Sequence, residues 1–156
     1  MAGSLSPGDQ APDFSLASGE GAAISLAALR GQTVVLYFYP RPDTPGCTQE
    51  ALDFNRLAPA FKKAGAAIVG VSADSQKATD KFRTKHGLSF ALGNDPNHDT
   101  LEAYGVWAEK SMYGRTFMGI VRSTFLIDAD GRIAEVWRNV RVPGHARAVL
   151  NAAKAL

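Results

Sequence analysis

Thr33-Val34-Val35-Leu36-Tyr37-Phe38-Tyr39 runs into Pro40, and Thr44-Pro45-Gly46-Cys47-Thr48 follows almost at once. The first stretch is rich in β-branched and aromatic residues, the pattern of a buried strand, and it stops at a proline. In the second, Thr44 before Pro45 reads as a helix N-cap and first helical residue. Ala51, Phe54, Leu57/Ala58 and Phe61 then recur at helical spacing. Pro59 is expected to kink this helix or thin its hydrogen bonding one turn earlier. Gly65 closes it, and Ala67-Ile68-Val69-Gly70-Val71 is the next strand. Strand, helix and strand in about forty residues make a βαβ unit, so the two strands are expected to be parallel.

Outward from that unit the alternation continues. Asp74-Ser75 is placed to cap a helix through Ala78 and Phe82, with Gly87 as its stop. Phe90-Ala91-Leu92 reads as a short strand and Thr100 to Tyr104 as a short helix ended by Gly105. Gly119 to Ile127 and Arg132 to Trp137 flank Asp128-Ala129-Asp130-Gly131, whose Asp-Gly step signals a hairpin. Pro143-Gly144 breaks the chain before a last helix, His145 to Ala155. The expected fold is α/β: a mixed central sheet, parallel early and antiparallel late, with helices on both faces. It has thioredoxin-like size.

Composition narrows the function classes. With 156 residues and 46% hydrophobic side chains, the chain has the material for one domain, residues 1–156, with a real core. No repeat, low-complexity tract or linker divides it. Seventeen basic against fifteen acidic side chains leave +2, no footprint for gripping nucleic acid. The longest apolar run, Val34 to Tyr39, is far short of the ~20 residues a membrane helix needs. Met1 to Pro7 has neither the basic start nor the apolar stretch of a signal peptide. The expectation is a soluble, cytoplasmic protein without a membrane or nucleic-acid partner.

One cysteine, Cys47, excludes an internal disulfide and a zinc site built on several thiolates. His86, His98 and His145 show no i,i+4 pairing and read as surface or capping residues, so no metal and no cofactor is expected. A lone cysteine is ordinarily a small buried hydrophobe. Here it falls in the first turn of a helix that follows a strand. Reactive groups of open α/β sheets gather beyond the strands' carboxyl ends. Free N–H groups and the positive end of the helix dipole favour a thiolate there over the free thiol, whose pKa is about 8.5.

Arg122 is the second candidate. It lies in Gly119-Ile120-Val121-Arg122-Ser123-Thr124-Phe125-Leu126-Ile127, read as a strand with apolar residues of both parities. An arginine there needs an anion or the rim. Its partner is either a carboxylate or the Cys47 thiolate.

Pro40, Thr44 and Cys47 stand in the P-x-x-x-T-x-x-C spacing, and with them the chain resembles the peroxiredoxins, in particular the bacterioferritin-comigratory-protein (PrxQ) branch. The likeness continues through Gly70-Val71-Ser72, Asp74-Ser75, Met112-Tyr113-Gly114-Arg115, Arg122 to Ile127 and Val142-Pro143-Gly144-His145, covering roughly residues 5 to 156. It implies a thioredoxin-like fold and a thiol-dependent peroxidase that reduces hydrogen peroxide and organic hydroperoxides. Cys47 would be the nucleophile, oxidised to sulfenic acid. Thr44 would hydrogen-bond the thiolate and the peroxide through its hydroxyl, besides serving as a plain helix cap. Arg122 would keep the thiolate ionised and stabilise charge as the O–O bond breaks. Pro40 would wall the pocket against water, besides ending the strand, and the Cys47 amide would donate to a peroxide oxygen.

The chain also departs from that pattern. Many relatives carry a resolving cysteine five residues after the first, where Leu52 stands, or on the helix after the second strand, where Lys81 to Lys85 stand. A one-cysteine enzyme needs an external thiol reductant: thioredoxin, glutaredoxin or glutathione. The resemblance favours a monomer. The rival class is a peroxide sensor or redox-regulated binding protein using the same cysteine. A general thiol–disulfide oxidoreductase is disfavoured, because Thr44-Pro45-Gly46-Cys47 lacks the first cysteine of a C-x-x-C pair.

Other motifs fail on inspection. Asp128 to Gly131 opens like a calcium loop, but Ile133 replaces the required glycine and Asn139 the glutamate. Gly19-Glu20-Gly21 continues into Ala22-Ala23-Ile24 without a phosphate-loop pattern. Tyr37 and Phe38 read as core, with Tyr39 beside the pocket. Trp107 and Tyr113 are expected in a loop, as ordinary packing or as an apolar collar.

Overall fold

A computed structural model describes residues 5–18 and 23–156. The stretch Gly19-Glu20-Gly21-Ala22, read as lacking a phosphate-loop pattern, and Met1 to Ser4, within the segment read as lacking signal-peptide features, lie outside them. In chain order the elements are β1 (Ser15–Ser18), β2 (Ala23–Ser25), β3 (Thr33–Phe38), α1 (Pro45–Lys63), β4 (Ala66–Ser72), α2 (Gln76–His86), β5 (Ala91–Asn94), α3 (Asp99–Ala103), β6 (Trp107–Met112), β7 (Arg115–Ile120), β8 (Ser123–Ile127), β9 (Ile133–Arg138) and α4 (His145–Lys154).

Seven strands form one sheet in the order β2-β1-β5-β4-β3-β8-β9. The β3-α1-β4 unit is parallel as expected, and β5 extends it in parallel. β8 and β9 add antiparallel strands beyond β3. Side chains alternate across β3 with period two, which decides how the sheet is covered. Val35 and Tyr37 pack with Phe54 and Phe61 of α1, Phe82 of α2 and Val149 and Leu150 of α4. Val34, Leu36 and Phe38 face the other side, with Leu101 of α3, Tyr104 and Phe125. Tyr39 is buried with the first cluster against Tyr37 and Phe82.

The local signals act as read. Ser75 accepts from the Ala78 N–H at 3.2 Å, capping α2, and Gly87 ends it at φ 60° in the left-handed region. Asp128 Oδ1 accepts from the backbone N–H groups of Asp130 and Arg132, each at 3.0 Å, and so shapes the β8–β9 turn. Pro59, expected to kink α1 or thin its hydrogen bonding, does not end it: the helix is continuous from Pro45 to Lys63.

Two expectations are corrected. Gly119 to Ile127 is not one strand: β7 ends at Ile120 and β8 begins at Ser123. At the break, the Val121 N–H bonds to the Val106 carbonyl and the Val140 N–H to the Arg122 carbonyl. Both partners lie outside the β3–β8 ladder, so the chain changes sheets there. Trp107 and Tyr113 are not in an irregular loop either. Trp107 opens β6, and β6 and β7 pair as a separate antiparallel ribbon. Tyr113 (φ 53°) and Gly114 (φ 75°) make its turn, both left-handed as a type I′ hairpin turn requires. The β1–β2 hairpin, too short for a periodic signal, was not foreseen.

Candidate active site

The break between β7 and β8 brings Arg122 over the start of α1. Thr44 occupies the N-cap position with extended backbone, Pro45 and Gly46 follow, and Cys47 lies in the first turn. The Thr48 N–H donates to the Thr44 carbonyl at 2.8 Å, closing the first helical bond. Cys47 is 1% exposed, buried as an ordinary core cysteine would be. Its sulfur nevertheless has a charged donor: Arg122 Nη2 lies 3.3 Å from Sγ.

Both alternatives considered for Arg122 hold together. Its Nη1 donates to Glu50 Oε1 at 2.6 Å, so the guanidinium bridges a carboxylate and the cysteine sulfur. Burial alone would push the Arg122 pKa down, but Glu50 and Cys47 together more than offset it and raise it. Glu50 is 1% exposed, and its second oxygen, Oε2, has no hydrogen-bond partner among the described residues. Burial pushes the Glu50 carboxyl up to about 7 against the pull of Arg122.

Glu50 is the residue that sequence reasoning missed. A signal existed: residues 47, 50, 51 and 54 share one helical face, and Cys47, Ala51 and Phe54 are all buried on it. Gly46 was missed as well. A Cβ there would lie 3.2 Å from Arg122 Nη2, so glycine lets the guanidinium close on the helix start.

Cys47 and Arg122 meet directly, whereas the cavity that Pro40 lines has neither of them in its wall. The Thr44 hydroxyl donates to the Arg41 carbonyl at 3.1 Å and makes no side-chain cap to α1. Its proton is thereby committed, leaving its lone pairs to accept. Pro40 lines a cavity of about 390 Å³ with Arg41, Asp74, Trp107, Lys110 and Ile120. Asp43, at φ 63°, accepts from Lys85 Nζ at 3.1 Å and faces His86 Nε2 at 3.5 Å, tying the segment before α1 to α2.

The histidines divide. His98, in the left-handed region at the N-cap of α3, stacks on Trp107 with ring centroids 3.9 Å apart. His145 departs from the surface-or-cap reading. It is buried, its Nε2 lies 2.8 Å from Thr124 Oγ1, and Phe54 and Trp137 meet its ring edge to face. Burial first, and the Arg122 charge second, push its pKa down to about 4.

A single buried thiol at a helix start, bonded by a guanidinium that a buried carboxylate holds in place, defines a thiol-based redox centre. The chain belongs to the AhpC/TSA family, whose model matches residues 7–136. Its relatives carry the peroxiredoxin name. It is 49% identical over 143 residues to "Peroxiredoxin Bcp" of Xanthomonas campestris, covering 92% of this chain and 89% of that one. Against "Peroxiredoxin Bcp" of Bacillus subtilis identity is 45%, covering 94% of each. Among solved structures, a Xylella fastidiosa PrxQ Cys-to-Ser mutant superposes with TM-score 0.92 at 41% identity, covering 99% of this chain and 98% of that one. The Xanthomonas bacterioferritin comigratory protein, studied for alkyl peroxide reduction activity, superposes with TM-score 0.87 at 48% identity, covering 91% and 90%. Structures of the Xanthomonas PrxQ with either of two different cysteines replaced by serine exist. This chain has one cysteine.

Proposed function

We propose that this chain reduces hydrogen peroxide and organic hydroperoxides at Cys47 and is regenerated by an external thiol. The observation that carries the reading is the 3.3 Å contact of Arg122 Nη2 with the Cys47 sulfur at the start of α1. The thiolate attacks the terminal oxygen of the hydroperoxide. An S–O bond forms and the O–O bond breaks. The leaving oxygen takes a proton and departs as water or alcohol, and the cysteine is oxidised by two electrons to the sulfenic acid. Arg122 supplies the positive charge where negative charge moves from sulfur to oxygen. The Thr44 hydroxyl, its proton held by Arg41, accepts from the hydroperoxide and orients it. Pro40 walls the pocket on the cavity side, and the Cys47 amide donates to a peroxide oxygen.

With no second cysteine, an external thiol must condense with the sulfenic acid, expelling water to give a mixed disulfide that a second thiol reduces. Thioredoxin, glutaredoxin and glutathione are the candidates. Cys47 is so buried that any of them needs the first turn of α1 to open. A free thiol of this kind suits a reducing compartment, and the reading places the protein in the cytoplasm, working as a monomer and as one domain. Among the described residues no helix is long and apolar enough to cross a membrane.

The test is steady-state peroxide consumption with each of the three reductants. Many turnovers with at least one, lost in Cys47→Ser, are expected. A single equivalent consumed per chain with every reductant marks a sensor instead. One equivalent of peroxide without thiol should leave the protein about one oxygen heavier, and excess peroxide should drive it on to the sulfinic acid. Mostly Cys47–Cys47 dimer on non-reducing electrophoresis replaces the external-thiol cycle with an intermolecular one.

A further inference from the structure

Residues 40–47 carry the reacting cysteine from the end of β3 into the first turn of α1. Among the described residues, the side-chain hydrogen bonds that leave this segment are those of Asp43 to α2 and of Cys47 to Arg122. The Thr44 hydroxyl turns back to Arg41, inside the segment itself. Asp43 accepts from Lys85 Nζ through both carboxylate oxygens, each at 3.1 Å, and His86 Nε2 lies 3.5 Å from one of them. Its backbone is left-handed at φ 63°, a conformation that aspartate tolerates better than most residues.

The ion pair spans a gap. Pro42 and Asp43 face Ala78, Lys81, Phe82 and Lys85 across a cavity of about 140 Å³, so packing alone does not clamp the segment to α2. The far side of the gap is firm. Arg83 Nη1 donates to the Phe90 carbonyl at 2.7 Å, and Phe82 is buried in the same cluster as Tyr39 and Cys47, with His86 edge-on to its ring. The last turn of α2 is therefore a fixed post, and Asp43 is the movable end. Lys85 first and His86 second hold the Asp43 carboxyl below the usual carboxylate range, so the pair is charged at neutral pH.

Oxidation acts on the two anchors differently. In the cycle proposed above the thiolate becomes a neutral sulfenic acid, and Arg122 loses its anion at the sulfur. The Asp43 carboxylate is untouched by that change. We propose that Asp43 is a positioning residue: its pair with Lys85 holds the Cys47 turn closed for peroxide, and in the oxidised chain it is the remaining charged anchor, whose release admits the thiol. This inference rests on the peroxidase reading, in which a thiol must reach a cysteine that is 1% exposed. The pair suits a tie that opens in every cycle, because its side chains are 55% and 52% exposed and an ion pair in water is weak.

The test measures the two steps separately in the full chain. Peroxide consumption is followed by stopped flow. Mixed-disulfide formation between the pre-oxidised chain and 2-mercaptoethanol, an uncharged thiol, is followed by intact mass. Asp43→Asn keeps a residue suited to φ 63° without the charge. In it the ratio of the thiol rate to the peroxide rate is expected to rise about three-fold, the scale of one exposed ion pair. Lys85→Gln should raise the ratio alike, and Lys85→Arg should stay near the parent. Sodium chloride at about 0.5 M should raise the parent's ratio and leave that of Asp43→Asn unmoved. A merely structural loss slows both steps and leaves the ratio where it was. A parent-like ratio in Asp43→Asn overturns the proposal, as does a Lys85→Arg ratio as high as that of Lys85→Gln. If Asp43→Asn folds poorly, the two Lys85 variants decide. If the parent reduces no peroxide, the peroxidase reading fails and the Thr48 amide decides for Asp43. Its bond to the Thr44 carbonyl closes the first turn at 2.8 Å, and its hydrogen exchange should be about three-fold faster in Asp43→Asn. Exchange equal to the parent's overturns the proposal.

Discussion

Gly46 and Arg122, seventy-six positions apart in the chain, are packed so that a single added methyl at 46 would sit 3.2 Å from the guanidinium. This contact is tighter than a side chain ordinarily allows, and the guanidinium is held on its other side by Glu50 at 2.6 Å. Arg122 thus has little room to yield. Gly46→Ala is expected to displace Nη2 from the sulfur and slow peroxide reduction about ten-fold, while thermal stability changes little. A rate equal to the parent's, measured by stopped flow, would show that the contact has slack.

Arg122→Met removes the donor to sulfur and leaves Glu50 buried without its cation. The first loss is expected to cost about a hundred-fold in peroxide reduction, the scale of one charge-stabilising donor. The second is expected to cost about 3 kcal/mol of stability, because the carboxylate at 1% exposure must ionise unpaired or take a proton. The double variant Arg122→Met, Glu50→Gln separates the two: denaturant unfolding should recover while the rate does not. Recovery of both would mean that Arg122 serves the fold alone.

His145 should set the acid limb of stability. Its folded pKa of about 4 lies below the unfolded value near 6.5. Between those values the unfolded chain binds the extra proton, so stability is fully present above 6.5 and is lost as pH falls toward 4. Glu50 works oppositely. Its folded value of about 7 exceeds the unfolded 4.5, so its contribution is present at low pH and lost as pH rises through 7. Urea unfolding of His145→Gln, which retains a partner for Thr124, is expected to show a flatter decline from pH 6.5 to 4. An unaltered slope would assign the acid limb to the carboxylates.

The features legible in the sequence depend on neighbours along the chain. Thr44-Pro45 starts α1 where read, because an extended cap residue followed by proline's fixed φ needs nothing distant. Cys47 in the first turn follows by counting. Ser75, Gly87 and Asp128 act within four residues of themselves, and the period of β3 against that of α1 was enough to predict a covered, partly parallel sheet. What only the tertiary structure decided depends on which segments meet. The sequence placed Arg122 within an unbroken strand; the chain in fact changes sheets there, since Val121 and Val140 take partners that no local pattern specifies. Tyr113-Gly114 lacks the Asn-Gly or Asp-Gly signature that announces a hairpin, so the β6–β7 ribbon stayed hidden. Glu50 joins the site only because α1 settles on the sheet with its Cys47 face inward. The Thr44 hydroxyl turned to Arg41 instead of its own helix. Chemistry at Cys47 was readable from a few adjacent residues, but its charged neighbours come from α1 and the β7–β8 break, and only packing brings those together.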